Sequence, residues 1–281
     1  MELKELVVIG LITFGTIGLI SGMALAFAAI KYAVEINPKI EAVKDILAGA
    51  NCGGCGYPGC EAYAEAVVTD PNVPPDLCRP GGPEVARRVA ELTGKTLGAV
   101  EPTISFRRCQ RNEGGVKERF RYLGVETCAA ANLALSGPYA CLYACLGLGD
   151  CVQACPFSAL TLREGLPEVD PQRCTGCGLC VRTCPKGILE LLPRGARVMV
   201  HCASADRGKE VMAVCQVGCI SCGLCVKKCP ASAIALEGGR IKIDHQRCLD
   251  HGPQCGEVCV EACPRKILRR QPTFEAVSQV A

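Results

Sequence analysis

From Leu6 to Ile30 the chain runs for 25 residues without a charge, LVVIGLITFGTIGLISGMALAFAAI. As a helix this stretch is roughly 37 Å long, enough to cross a ~30 Å hydrocarbon layer. A secretory signal is the rival reading, and Ala26-Phe27-Ala28 resembles its cleavage site. The stretch is too long for one, however, and Glu2, Lys4 and Glu5 replace the expected basic leader. Residues 1–30 therefore read as an uncleaved transmembrane anchor, in which Gly18 and Gly22 read equally as a small-residue face for a partner helix and as the ordinary glycine enrichment of membrane helices. After it the pattern shortens. Asn37 and Pro38 open a helix expected to reach Ala48. The loop Asn51–Cys60 leads into a helix to Val68, and Pro83 starts another that stops at Gly94. Residues 31–98 thus form a small helical unit around a loop. Beyond 99, strand-like segments alternate with loops: Thr103–Arg108, Ala159–Arg163, Arg197–His201, Ala233–Leu236 and Arg240–Asp244, with Gly238-Gly239 as a tight turn. The fold class is α+β.

Composition changes this picture, because 24 of the 281 residues are cysteine and there are only six Tyr, six Phe and no Trp. Ordinary hydrophobic cores are not expected, so disulfides or metal must hold the chain. Spacing decides for metal. Cys174, Cys177, Cys180 and Cys184-Pro185, and again Cys219, Cys222, Cys225 and Cys229-Pro230, match the bacterial ferredoxin run, whose fourth thiolate serves the other of two [4Fe-4S] clusters. Looser partner runs flank them: Cys141, Cys145, Cys151 and Cys155-Pro156, then Cys248, Cys255, Cys259 and Cys263-Pro264. The crossed rule predicts four sets: Cys141, Cys145, Cys151 and Cys184; Cys174, Cys177, Cys180 and Cys155; Cys219, Cys222, Cys225 and Cys263; Cys248, Cys255, Cys259 and Cys229.

A fifth set, Cys52, Cys55, Cys60 and Cys78, lies in the glycine-rich loop of the helical unit. Four thiolates around zinc are the alternative there. The remaining thiols are Cys109, Cys128, Cys202 and Cys215. Cys109 and Cys202 each end a strand-like segment, and Cys128 and Cys215 each precede a ferredoxin run, so residues 99–197 and 198–281 read as two ferredoxin-like modules in weak internal repeat. If their opening strands pair, these four thiols converge on a sixth cluster; buried free thiols are the competing reading. His201, His245 and His251 are not needed as ligands. No dinucleotide fingerprint or P-loop is present, so no catalytic residue and no flavin or NAD site is expected.

The anchor, the NCGGCGYPGC loop with its distant LCRPGG, and the stretch GVETCAAANLALSGPYACLYACLGLGDCVQACPF resemble the B subunits of Rnf ion-translocating ferredoxin:NAD⁺ oxidoreductases. The resemblance spans essentially the whole chain; short family members carry one ferredoxin pair where this chain has two. It implies an electron-transfer subunit of a translocase, with reduced ferredoxin as donor and other Rnf subunits as membrane, ion-translocating and NADH–flavin partners. It also implies that electrons pass on to NAD⁺ reduction coupled to Na⁺ or H⁺ movement. The implied location is a bacterial or archaeal cytoplasmic membrane. Lys31, Lys39 and Lys44, which follow the anchor, favour clusters on the cytoplasmic side. Another membrane redox system, such as a reducer of a redox-sensing transcription factor, is the alternative. Between 107 and 121, Arg107, Arg108, Arg111, Lys117, Arg119 and Arg121 face only Glu113 and Glu118 in sequence, a patch that reads equally as steering for an acidic ferredoxin and as a solvated loop or lipid-headgroup contact.

Overall fold

A computed structural model describes residues 3–32, 37–98, 100–111 and 115–271; Glu2 and Glu113 lie outside them. The uncharged run forms one helix, α1 (Leu3–Lys31), on which Leu11, Phe14, Leu25 and Ile30 are all more than two-thirds exposed. A helix apolar on every side and buried by no other described residue is long and apolar enough to cross a membrane. Around Gly18 and Gly22 there is open space.

The helical unit follows as α2 (Pro38–Ile46), α3 (Cys60–Thr69) and α4 (Gly82–Thr93). Asn37 caps α2 by accepting the Lys39 N–H at 3.0 Å, and Gly94, at φ +70°, ends α4 in the left-handed conformation that favours glycine. Their apolar faces meet in a core of Val43, Leu47, Tyr63, Ala64, Val67 and Val89. Tyr63 is fully buried, and its hydroxyl is satisfied by the Pro74 carbonyl at 2.9 Å.

The rest consists of β1 (Thr103–Arg107), α5 (Cys128–Leu133), α6 (Asp150–Gln153), β2 (Leu160–Arg163), β3 (Leu166–Val169), α7 (Leu179–Thr183) and β4 (Leu189–Pro193), then β5 (Val198–Val200), α8 (Gly208–Val214), α9 (Leu224–Lys228), β6 (Ile234–Glu237), β7 (Arg240–Ile243), α10 (His245–His251), α11 (Val258–Glu261) and β8 (Leu268–Arg270). Each half repeats one topology. A hairpin, β2–β3 or β6–β7, sits in the middle, and the opening strand pairs antiparallel with the closing one, β1 with β4 and β5 with β8.

The two opening strands do not pair with each other. β1 and β5 are each taken by their own closing strand. The halves meet just beyond them, where Cys109 lies opposite Cys202 and Val116 opposite Cys215 in isolated bridges. The closing strands and β3 escaped the sequence reading because Pro167 and Pro193 argue against strand and Leu268–Arg270 is too short and charged to show a period.

Four of the six cations in the basic segment are engaged within the fold, while Lys117 and Arg121 are exposed. Arg107 donates to the Pro167 carbonyl at 3.1 Å, and Arg108 to that of Ile241 at 2.8 Å while pairing with Glu190. Arg119, though exposed, holds the Leu135 and Gly137 carbonyls. Arg111 is buried: its Nε–H reaches the Cys145 carbonyl at 2.7 Å, a terminal N–H reaches that of Gly165 at 3.1 Å, and the guanidinium lies 4.5 Å from the Tyr139 ring centre. Each of these four side chains donates to at least one backbone carbonyl and so staples loops together, although the Nε–H groups of Arg107 and Arg108 are buried without a partner. Arg111→Ala is expected to cost about 2–4 kcal/mol by orphaning two carbonyls and a ring face. Thermal unfolding of the cluster-loaded protein checks this; an unchanged midpoint would contradict the stapling role.

Candidate metal centres

All 24 cysteines are free of disulfides, and all but Cys222 are at least partly buried. They gather into six quartets. In the helical unit, the loop before α3 brings Cys52, Cys55 and Cys60 to the buried Cys78. Asn51 folds back to accept the Cys60 N–H at 2.8 Å, and the Gly54 N–H points at the Cys52 Sγ at 3.5 Å.

Cys155, Cys174, Cys177 and Cys180 meet beside β1. There the Ser105 N–H donates to the Cys174 Sγ at 3.4 Å, and the Ser105 hydroxyl lies 3.1 Å from the Cys180 Sγ. In the second half, Cys219, Cys222, Cys225 and Cys263 line one cavity, and Cys229, Cys248, Cys255 and Cys259 another. These groupings coincide with the crossed expectation.

The other two do not. Cys128 lies with Cys145, Cys151 and Cys184 around one cavity, and Cys141 with Cys109, Cys202 and Cys215 around another. The two thiols have exchanged places relative to their spacing in sequence. The cause is local. Asp150, at the start of α6, accepts the Cys128 and Ala129 N–H groups at 2.7 and 3.0 Å, which fastens the N-terminus of α5 beside Cys151. Cys141 faces Cys215, Cys109 and Cys202 instead. An acidic residue 22 positions away that caps a six-residue helix leaves no signal in cysteine spacing.

The quartets suit clusters better than single ions. Among the described residues, no three His, Cys, Asp or Glu side chains converge closely enough to hold one metal ion, as zinc with ~2.3 Å Zn–S bonds would require. Backbone N–H groups of Ala159, Cys219 and Ser221 aim at the sulfurs of Cys155, Cys202 and Cys219 at 3.3–3.4 Å, a provision for negative sulfur. Burial pushes the thiols of Cys141, Cys145 and Cys151 up to about 12, and those of Cys225 and Cys259 to about 11. Left alone they stay protonated; only positive charge at the quartet centre makes them thiolates.

The quartets also abut in series. Gly54 packs so tightly on Cys177 that a Cβ there would lie 2.7 Å from the Cys177 carbonyl oxygen, and Arg182 clamps the Gly53 carbonyl at 2.9 Å. Cys151 adjoins Cys180, Cys145 adjoins Cys109, and the Cys219 N–H donates to the Cys202 Sγ. The quartet of Cys109, Cys141, Cys202 and Cys215 thus bridges the two halves.

A string of thiol quartets on repeated ferredoxin topology, behind one apolar helix, defines a multi-centre iron–sulfur electron carrier. Family models agree. One described as a putative Fe-S cluster matches residues 47–80, and two 4Fe-4S dicluster domain models match 140–188 with 218–267, and 173–233. The chain is 48% identical over 92% of its length to the B subunit of the proton-translocating ferredoxin:NAD(+) oxidoreductase complex of Clostridium ljungdahlii, covering 90% of that protein. It is 42% identical over 89% to the Na(+)-translocating counterpart of Acetobacterium woodii, covering 74%. It is 39% identical over 90% to the B subunit of the ion-translocating oxidoreductase complex of Methanosarcina acetivorans, covering 94%. The chain belongs to the family of Rnf complex B subunits.

Proposed function

We propose that the chain relays single electrons within an Rnf complex, taking them from reduced ferredoxin at the exposed Cys222 and delivering them through the Cys52–Cys78 quartet to membrane redox subunits. Their destination is NAD⁺, its reduction coupled to Na⁺ or H⁺ movement. The observation that supports this most is the unbroken series of quartets from Cys222 to Cys52. Six [4Fe-4S] clusters, held by all 24 cysteines in the groupings above, supply one-electron chemistry when bound.

The protein's own part is to hold the sulfurs in register, to exclude water by burial, and to aim backbone N–H groups at them. The divisions 1–30, 31–98, 99–197 and 198–281 then serve as anchor, delivery unit, inner relay and intake. The anchor keeps the delivery unit at the cytoplasmic face of the membrane, beside partner subunits.

Cys222 is the one exposed thiol, with Leu224, Lys227 and Lys228 exposed beside it. That surface suits an acidic donor better than the stapled arginines do. Cys222→Ser is expected to slow ferredoxin-driven reduction of the other centres by about tenfold or more, ~1.4 kcal/mol of barrier, while dithionite still reduces them. Unchanged ferredoxin kinetics, followed by visible absorbance in stopped flow, would rule out intake at this quartet.

A further inference from the structure

The quartet of Cys229, Cys248, Cys255 and Cys259 lies off the through-route, and it has a cation in its wall. Arg197, just before β5, donates from one terminal nitrogen to the Cys248 carbonyl at 2.6 Å; the same nitrogen lies 3.5 Å from the Cys248 Sγ and 3.9 Å from the Cys255 Sγ. The other terminal nitrogen is held by Glu257 at 3.1 Å, and the pair is more than four-fifths buried on both sides. Arg270 braces the far oxygen of Glu257 at 3.4 Å. The Nε–H of Arg197 is buried with no partner, and the residue lines the thiol cavity.

The repeat supplies a control. Counting back from the bridged Cys109 and Cys202, Arg197 stands where the first half has Ile104, and Val198 where it has Ser105. In the first half it is Ser105 that meets the sulfurs of the matching quartet, and Arg194 reaches the Cys174 carbonyl at 2.5 Å; in the second half a guanidinium reaches both the Cys248 carbonyl and two sulfurs.

We propose that Arg197 is a positioning residue that raises the reduction potential of the centre held by Cys229, Cys248, Cys255 and Cys259. The proposal rests on the iron–sulfur reading of that quartet. Reduction adds one electron, drawn from the reductant, and so one negative charge. A fixed cation that hydrogen-bonds the sulfurs favours the reduced form, and charge and hydrogen bonding to sulfur are the levers a protein has on such potentials. Glu257 both orients the cation and offsets part of its charge.

The test is a potentiometric titration of the full, cluster-loaded chain, followed by absorbance and electron paramagnetic resonance, after iron and acid-labile sulfide are counted. Arg197→Gln is expected to shift one centre to lower potential and leave the rest in place, with Arg197→Lys partly restoring it. Glu257→Gln is expected to shift the same centre the opposite way. Opposite shifts from two substitutions in one ion pair are not the signature of simple loosening. Unchanged midpoints with full iron overturn the role of Arg197. If Arg197→Gln loses iron, Glu257→Gln decides: an upward shift upholds the proposal and no shift refutes it. A wild-type chain whose iron falls short by this centre would instead fail the iron–sulfur reading itself.

Discussion

Stripping iron from the purified protein with a chelator is expected to unfold the chain beyond residue 100 while leaving α1 helical. The second half shows why. Its core consists of Val198, Val200, Ile234, Ile241, Ile267 and Leu268 with Cys225 and Cys259, and among the described residues no aromatic side chain belongs to it. Strands of three or four residues in two-stranded ribbons are not stable alone. Small cores of this kind need staples, and metal binding in them is folding free energy. Without iron, the centre of each half becomes a cavity ringed by protonated thiols. Circular dichroism and limited proteolysis of the stripped protein should show loss of strand signal and cleavage throughout 100–271. A stripped chain that still unfolds cooperatively near the original temperature would contradict this account.

The second large effect concerns the exchanged thiols. Cys141→Ser is expected to remove the centre that bridges the halves, lowering iron by about four per chain and slowing electron passage from the second half to the first by an order of magnitude or more. Double substitutions separate the two groupings, because groups that act in one unit are not additive. Cys141→Ser combined with Cys109→Ser should lose no more iron than either alone. Combined with Cys184→Ser it should lose about eight irons. Cys128→Ser should behave in the reverse way, sharing its loss with Cys184 and adding to that of Cys109. The converse pattern would restore the grouping expected from spacing.

The exchange also marks how far sequence reasoning reaches. The runs Cys174–Cys184 and Cys219–Cys229 were legible because their chemistry is local: three thiols two residues apart wrap one centre whatever surrounds them. The helical unit was legible through its proline and glycine punctuation, and α2 to α4 fall within two residues of expectation. The role of the basic segment was not legible, because charge in sequence says nothing about what a guanidinium can reach. Carbonyls at Pro167, Ile241, Cys145 and Gly165 are distant in the chain and invisible until it folds.

By itself, then, the sequence determined the N-terminal apolar helix, the α+β class, the tandem ferredoxin-like domains and the family. Each rests on a composition or a spacing confined to a few dozen residues. Only the tertiary structure decided which thiols share a centre, which quartets touch, and which cations are spent on carbonyls. Those outcomes depend on one hydrogen-bonded cap at Asp150, one backbone bridge between Cys109 and Cys202, and one glycine pressed against Cys177. Such contacts join residues tens of positions apart, and their energies exist only once the chain has brought them together.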